Sequence, residues 1–207
     1  MRPRSKSGRR LTQEERRENA ERRILDAATR LVADKGLDAF TLADVGEAAG
    51  FSSGLPAHYF KTKDGLLAAV TERIRQQHFF GILGLKESER GLEDLFAATA
   101  LYFQQTIKNP HAAKAFQVFM SGALYHSMAN KLAAQLNADS LSGIEHALSV
   151  GKKRGDIRSD LDPKIWAIIY LSEIRGVVQQ WLVDPKHTDL SPIVQEVMTA
   201  IQLCVKP

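Results

Sequence analysis

The segment from Thr41 to Lys63, TLADVGEAAGFSSGLPAHYFKTK, carries the most specific pattern in the chain. Thr41 and Asp44 have the spacing of a capping box, which predicts the start of a helix. Gly50 stands where that helix must end, in the left-handed conformation that glycine adopts at least cost. Ser52 is predicted to cap a second helix. Two short helices joined by a tight turn are typical of a helix-turn-helix, which binds DNA.

Small residues inside this segment support the same interpretation. Val45, Ala48 and Ala49 give the first helix a narrow apolar face, and Phe51 is expected to point inward. Gly46 falls where the two helices cross, and any side chain larger than alanine there would push them apart. The alternative is an ordinary pair of packed helices, because bare helix-turn-helix patterns often occur by chance.

Composition places the chain among ordinary globular proteins. It has 207 residues, of which 44% are apolar and 25% charged, enough for one large or two small domains. The apolar runs are too short to span a bilayer, and the basic N-terminus lacks the apolar stretch of a signal peptide. The single cysteine, Cys204, excludes an internal disulfide and fits a reducing cytoplasm. A cytoplasmic protein that does not contact a membrane is expected.

Positive charge is concentrated at the N-terminus. The net charge is +4, yet residues 1–23 alone hold nine Lys and Arg against four Glu, a balance of +5. Residues 1–11 are therefore predicted to form a flexible basic arm that contacts phosphates beside the helix-turn-helix. The alternative is a solvated tail without a partner.

Helical patterns extend along the rest of the chain, and no strand pattern appears. Thr12 and Glu15 form a capping box for a first helix that ends at Gly36, and Thr62 caps a fourth helix that reaches about Phe80. Further helices are predicted at about 92–108, 111–126, up to 154 with a break near 139–143, 163–184 and from 191 onward. We expect an all-α fold, with a three-helix DNA-binding domain at 12–65 and a larger helical domain at 66–207.

Three segments in this order, AATRLVADKG, FTLADVGEAAGFSSG and HYFKTKDGLL, resemble the N-terminal domain of TetR-family transcriptional regulators. The resemblance covers about residues 20–70, and RGDIRSDLDP at 154–163 looks like the loop before the dimerising helices of that family. It implies a homodimeric repressor that a small-molecule effector releases from a palindromic operator in double-stranded DNA. The middle helices would house the effector.

The second helix of the motif is predicted to enter the major groove with its N-terminal residues at the base edges. Lys63 and Thr41 stand at helix N-termini, where backbone N–H groups favour phosphate, and the resemblance gives Lys63 that same role. Two features depart from the family: Ala57 stands where a tyrosine is usual, and Pro56 removes one N–H donor, so the helix is expected to start later or bend. The predicted DNA-binding residues are Thr41, Ser52, Ser53, Gly54, Leu55, Ala57, His58, Tyr59 and Lys63, whereas Phe60 is predicted to be core.

Large apolar side chains crowd the middle helices, as an apolar or aromatic effector would require. Most of them must nevertheless be core, because stripes at helical spacing usually are. The last two helices carry apolar stripes that could form a four-helix contact between subunits or simply intrachain core. The candidate effector residues are Phe80, Phe96, Tyr102, Phe103, Gln117, Phe119, Met120, Tyr125, His126, Trp166 and Tyr170.

The main alternative is a helical ligand-binding protein or enzyme that does not bind DNA. The six histidines show no metal-ligand spacing, and no phosphate-binding glycine loop is present, so we expect no catalytic residue, metal or cofactor. Cys204 lies on an apolar stripe and is interpreted as core or interface. A purely structural adaptor would leave the basic arm and the 41–63 pattern unexplained.

Overall fold

The computed structural model describes residues 12–207, apart from the side chain of His78. Over this range the chain forms ten α-helices, one short 3-10 helix (Leu85–Glu87) and no strand, which confirms the all-α prediction. The predicted basic arm, residues 1–11, lies outside the described residues. The α-helices are Gln13–Lys35 (α1), Leu42–Ala48 (α2), Leu55–Phe60 (α3), Lys63–His78 (α4), Phe80–Gly84 (α5), Leu92–Lys108 (α6), Pro110–Gly122 (α7), Ser127–Arg154 (α8), Pro163–Val183 (α9) and Leu190–Val205 (α10).

The first four helices pack as the sequence predicts. Both halves of the capping box form at the start of α1, between Thr12 and Glu15. The helix ends at Gly36, whose φ of 85° suits glycine. Ile24 of α1, Val45 of α2 and the apolar side of α4 are fully buried together in the same core. Burial of this apolar surface holds the short α2 and α3, which are too short to be stable alone.

α4 leads from this unit into the larger helical bundle. The predicted boundary after residue 65 falls in the first turn of α4, and one continuous apolar core runs through the described chain. α1 and the turn that follows it also pack against α7: a Cβ on Gly122 would clash with the side chain of Leu37, just past the end of α1, and the Lys114 ammonium lies 3.5 Å from the Asp34 carboxylate. The N-terminal four-helix unit therefore contacts the bundle through two routes, α4 and the α1–α7 contact.

Several predicted helix limits in the bundle are wrong. The predicted break near residues 139–143 does not occur. α8 is unbroken there, and Gly143 serves instead to let the α5 backbone approach α8 closely. A Cβ there would lie 2.7 Å from the Ile82 carbonyl oxygen. α7 ends at Gly122 rather than 126, and α4 ends at His78 before the separate α5. The last helix starts one residue early, because Asp189 caps it.

The final two helices leave apolar side chains on the surface. Ile165, Ile168 and Ile169 of α9 are about half exposed, and Leu203 of α10 is more exposed still. Cys204 is also exposed in the single chain, so of its two interpretations the core position is wrong and the interface position stays a prediction. Among the described helices, none combines the length and the apolar character needed to cross a bilayer.

Candidate nucleic-acid interface and effector region

The start of α2 is fixed by a reciprocal cap. The Asp44 backbone N–H donates to the Thr41 hydroxyl at 3.2 Å, while the Asp44 carboxylate accepts the Thr41 N–H at 2.6 Å and its hydroxyl at 2.8 Å. Hydrogen bonds from the Thr41 backbone and then its side chain lower the pKa of Asp44. The capping role of Thr41 is thus confirmed, and its contact with phosphate stays a prediction.

The turn after α2 is built around two glycines. Gly50 has a φ of 73°, the left-handed conformation predicted for it. At Gly46 the crossing is tighter than expected, because even an alanine Cβ would lie 2.6 Å from the Ser52 carbonyl oxygen and 3.0 Å from the Ser53 Cα. The prediction that alanine would fit is therefore wrong. Arg23 of α1 closes the turn by donating to the Ala49 carbonyl at 2.7 Å.

The helix α3 begins later than its predicted cap, Ser52, would place it. Gly54, not Ser52, occupies the N-cap position, and no side chain caps the helix. The Ser52 backbone carbonyl accepts the Leu55 N–H at 3.1 Å, while its side chain is exposed. Pro56 explains the shift, because proline is tolerated only in the first turn, where its missing N–H would be unpaired anyway. The prediction of Ser52 as the helix cap is wrong, and the predicted late start is confirmed.

One side of the α3 segment is open to solvent. Leu55, Tyr59 and Phe60 are partly buried against the core, so the prediction of Phe60 as core is met only in part. The Tyr59 hydroxyl donates to the Arg17 carbonyl at 3.4 Å. A groove of about 700 Å³ runs between the start of α1 and α3, with Arg17 on its wall. Of the predicted DNA-binding residues in α3 and the turn before it, the exposed ones are Ser52, Ser53, Gly54, Ala57 and His58.

Lys63 lies in the first turn of α4, beside α3. Thr62 caps this helix by accepting the Gly65 N–H at 3.0 Å. The Lys63 ammonium donates to the Asp38 carbonyl at 3.0 Å and lies 4.5 Å from the centre of the Phe40 ring. These contacts hold the charge at the helix N-terminus, where the helix dipole favours an anion. A backbone carbonyl satisfies one of the three ammonium donors, so others can reach a phosphate.

Two family models match this arrangement in order along the chain. The model for bacterial regulatory proteins of the tetR family matches residues 24–70, which contain α2, α3 and the first half of α4. The model for the C-terminal region of MAATS-type transcriptional repressors matches residues 101–203. The chain belongs to the TetR family. The prediction of a DNA-binding transcriptional regulator of the repressor type is confirmed, and small-molecule effectors release TetR-family repressors from DNA.

Similar proteins agree with the TetR assignment over most of the chain. TtgR, a transcriptional regulator of Pseudomonas putida, is 25% identical over 187 residues, 87% of this chain and 88% of that protein. KstR2, a transcriptional repressor of Rhodococcus jostii, is 26% identical over 161 residues, 76% of this chain and 77% of that protein. The structure of a SmeT–triclosan complex superimposes with a TM-score of 0.79 at 22% identity, over 91% of this chain and 92% of that one.

In the larger domain of this TetR-family chain, the predicted effector residues fall into separate environments. Tyr102, Phe103 and Phe119 are buried, and the Tyr102 and Phe103 rings lie 5.5 Å apart. Tyr170 is also buried, and its hydroxyl lies 2.7 Å from that of Thr99, one turn before Tyr102 on α6. Burial raises the pKa of both tyrosines, that of Tyr102 to about 12.

The remaining predicted residues lie closer to the surface. Phe80 is 49% exposed and Tyr125 is 90% exposed, so neither lies within the buried aromatic cluster. Phe96 borders a surface cleft of about 530 Å³ beside the C-terminus. Those of intermediate exposure are Phe96, Gln117, Met120, His126 and Trp166, and the Nδ1 atom of His126 is buried without a hydrogen-bond partner among the described residues.

Three residues that were not among the selected effector residues, Phe79, Phe116 and Arg175, join the buried aromatic side chains around Tyr102. Phe79, at the end of α4, is 1% exposed, and its ring lies 4.7 Å from that of Phe116 and 5.4 Å from that of Tyr102. Arg175 of α9 places its guanidinium 5.5 Å from the Phe116 ring. A signal for Arg175 was available, because a charged residue within the apolar stripe of a helix is unusual. Among the described residues no cluster of His, Cys, Asp or Glu could hold a metal ion.

Proposed function

We propose that this TetR-family chain binds a palindromic operator as a homodimer, in the cytoplasm and without catalytic activity. The single observation that carries the DNA contact is the exposed side of α3 and of the turn before it, which offers His58 and Ser53, with the ammonium of Lys63 anchored at the start of the next helix. An α-helix end of this kind fits the major groove, where a hydroxyl and an imidazole can bond base edges. Lys63, Thr41 and Tyr59 would position the helix through phosphates.

The test is binding to the DNA upstream of the chain's own gene, followed by selection from a randomised pool. Ser53→Ala and His58→Ala should each change the preferred sequence, because a lost base contact costs about 1–3 kcal/mol of discrimination. Ser142→Ala and His111→Ala, which remove exposed residues on α8 and α7, are the matched controls and should leave the preference unchanged. If the Ser53 and His58 variants keep the wild-type preference, α3 does not read the bases.

The homodimer is supported by the exposed apolar side of α9. Ile165, Ile168 and Ile169 recur at helical spacing and stay about half exposed in the single chain. Apolar residues grouped on one helix face mark a protein contact, and a two-fold contact would bring two copies of α3 to successive turns of DNA.

Ile168→Glu tests this contact, because its side chain faces solvent and its replacement should leave the single chain folded. Analytical ultracentrifugation should show a dimer for the wild type and a monomer for the variant, with an unchanged helical circular-dichroism spectrum. Gln104→Glu, which adds the same charge at an exposed polar position of α6, away from the exposed face of α9, is the control and should remain dimeric. A monomeric wild type at about 10 μM would refute the proposal, since stable dimers typically associate more tightly.

Effector release would pass through α4. Its first turn holds Lys63, and the residue that follows its last turn, Phe79, is packed between the rings of Tyr102 and Phe116. A ligand that separates these rings would tilt α4 and change the spacing of the two copies of α3. The ligand must bind the DNA-incompetent state more tightly, and operator must weaken ligand binding by the same factor, about 5- to 150-fold.

A further inference from the structure

The guanidinium of Arg175 lies inside the bundle, where five helical elements converge. Its Nη1 atom donates to the Asn137 side-chain oxygen of α8 at 2.7 Å. The rings of Phe79 and Phe116 lie 5.9 Å and 5.5 Å from the guanidinium carbon. The backbone carbonyl of Arg175 accepts from Gln117 of α7 at 3.3 Å, which helps fix this part of α9.

Two nitrogens of this guanidinium have no hydrogen-bond partner among the described residues. Nε and Nη2 of Arg175 are fully buried and unpaired. They form one edge of the planar group, and their N–H bonds point in parallel, which is the geometry that pairs with both oxygens of a carboxylate. The hydrogen bond from Nη1 to Asn137 does not involve the edge formed by Nε and Nη2, and it fixes the orientation of the guanidinium plane.

Among the described residues no acid forms an ion pair with Arg175. Burial lowers the pKa of Arg175, and in this part of the chain the electrostatic influence that opposes the effect comes from the Tyr102 hydroxyl. A buried charge without a counterion is expensive, and an anion that completes the bidentate pair would remove that cost. Among the described residues no second cation lies over the Phe79 or Phe116 ring. One positive charge among aromatic rings suits a monoanion better than a phosphate dianion.

We propose that Arg175 binds the carboxylate of an apolar or aromatic organic acid through its Nε and Nη2 atoms. The apolar part of the acid contacts the rings of Phe79, Phe116 and Tyr102, which it must move apart to enter. Other atoms of Arg175 are exposed, so the guanidinium lies within one side-chain length of the surface. The inference rests on the proposed function, since it names the chemical class of the effector and places it against Phe79 at the end of α4.

The test compares three carboxylates, cinnamate, phenylbutyrate and decanoate, with the neutral amide of each. Isothermal titration of the full chain should show at least one carboxylate binding about 10- to 100-fold more tightly than its amide, as a charge-assisted bidentate pair predicts. Arg175→Met should lose this preference. Arg175→Lys keeps the positive charge but lacks two parallel N–H donors, so this variant should retain only part of the preference for the carboxylate over the amide. Arg90→Met removes an exposed arginine that pairs with Glu93, and it should behave as the wild type.

Three outcomes would overturn the inference. They are a failure of all three carboxylates to bind at about 5 mM, a preference that survives in Arg175→Met, and tighter binding of phenylphosphonate than of the carboxylates. The comparison of acid with amide uses the wild-type protein, so it stays decisive if a variant fails to fold. Operator titration separates the two proposals: a carboxylate preference that depends on Arg175 but leaves operator affinity unchanged supports the site and refutes release by this ligand.

Discussion

Replacing Gly46 with alanine should destabilise the DNA-binding unit, although alanine is the better helix former. A Cβ at Gly46 would lie 2.6 Å from the Ser52 carbonyl oxygen, 3.0 Å from the Ser53 Cα and 3.2 Å from the Pro56 Cδ. Ordinary contact begins at 3.4 Å, so the carbonyl alone would have to move by 3.4 − 2.6 = 0.8 Å. The two closest atoms belong to the backbone, and no side-chain rotation can relieve these contacts.

The magnitude follows from two opposing effects on the free energy of unfolding. Overpacking a close contact costs about 1–3 kcal/mol, and backbone neighbours favour the upper half of that range. Alanine returns up to about 1 kcal/mol through its helix propensity. The net loss should be about 1–3 kcal/mol, which lowers the Tm of a chain of this size by roughly 2–12 °C. The displaced turn carries Ser53, so operator affinity should also fall, by about tenfold if one base contact is lost.

Thermal melts followed by circular dichroism measure the first effect, and fluorescence anisotropy with labelled operator measures the second, well below the Tm. Gly84→Ala is the matched control, because a Cβ on Gly84 meets nothing within 4 Å and its φ of −67° suits alanine. The control should melt at or slightly above the wild-type temperature. A Gly46→Ala protein as stable as the wild type would show that α2 and α3 do not cross as closely as described.

Three further predictions concern single contacts. Lys63→Met keeps the aliphatic stem over its aromatic neighbour but removes the charge, so the slope of log affinity against log salt should shrink by about one; an unchanged slope removes this lysine from the phosphate contacts. Asp44→Asn should remove the part of the pH dependence of stability that comes from Asp44. The folded-state pKa of Asp44 is lowered, so its contribution to the free energy of unfolding is complete above about pH 4 and is lost as the pH falls through the folded-state pKa. Parallel Tm curves for variant and wild type between about pH 2 and 5 would contradict this. Gly91→Ala should lower the Tm, because Gly91 has a φ of 62° and a Cβ there would lie 2.5 Å from the Gly151 nitrogen; a Tm equal to that of the wild type would argue against this close approach.

Local chemistry was sufficient to predict much of the DNA-binding unit. Capping boxes, the left-handed Gly50 and the early Pro56 depend on residues within about four positions of one another, so their consequences can be derived from sequence. The exact start of α3 could not be derived in the same way. Ser52 is a good cap by type, but Pro56 can occupy only the first turn, and the proline position determined where the helix begins.

The tertiary structure alone decided which aromatic side chains meet and how closely helices cross. Phe79 and Phe80 are adjacent residues of the same type. Because α4 ends at His78, Phe79 is buried in the core, whereas Phe80 is exposed at the start of α5. The unpaired edge of Arg175 is equally invisible in the sequence, since it depends on which side chains from elements far apart in the chain surround it, and among those that the structure describes none is an acid paired with it. Caps and turns are short-range interactions that a sequence encodes directly. The composition of a buried site is set by packing between distant segments, so the sequence by itself determined the family and the helices, and the fold determined the site.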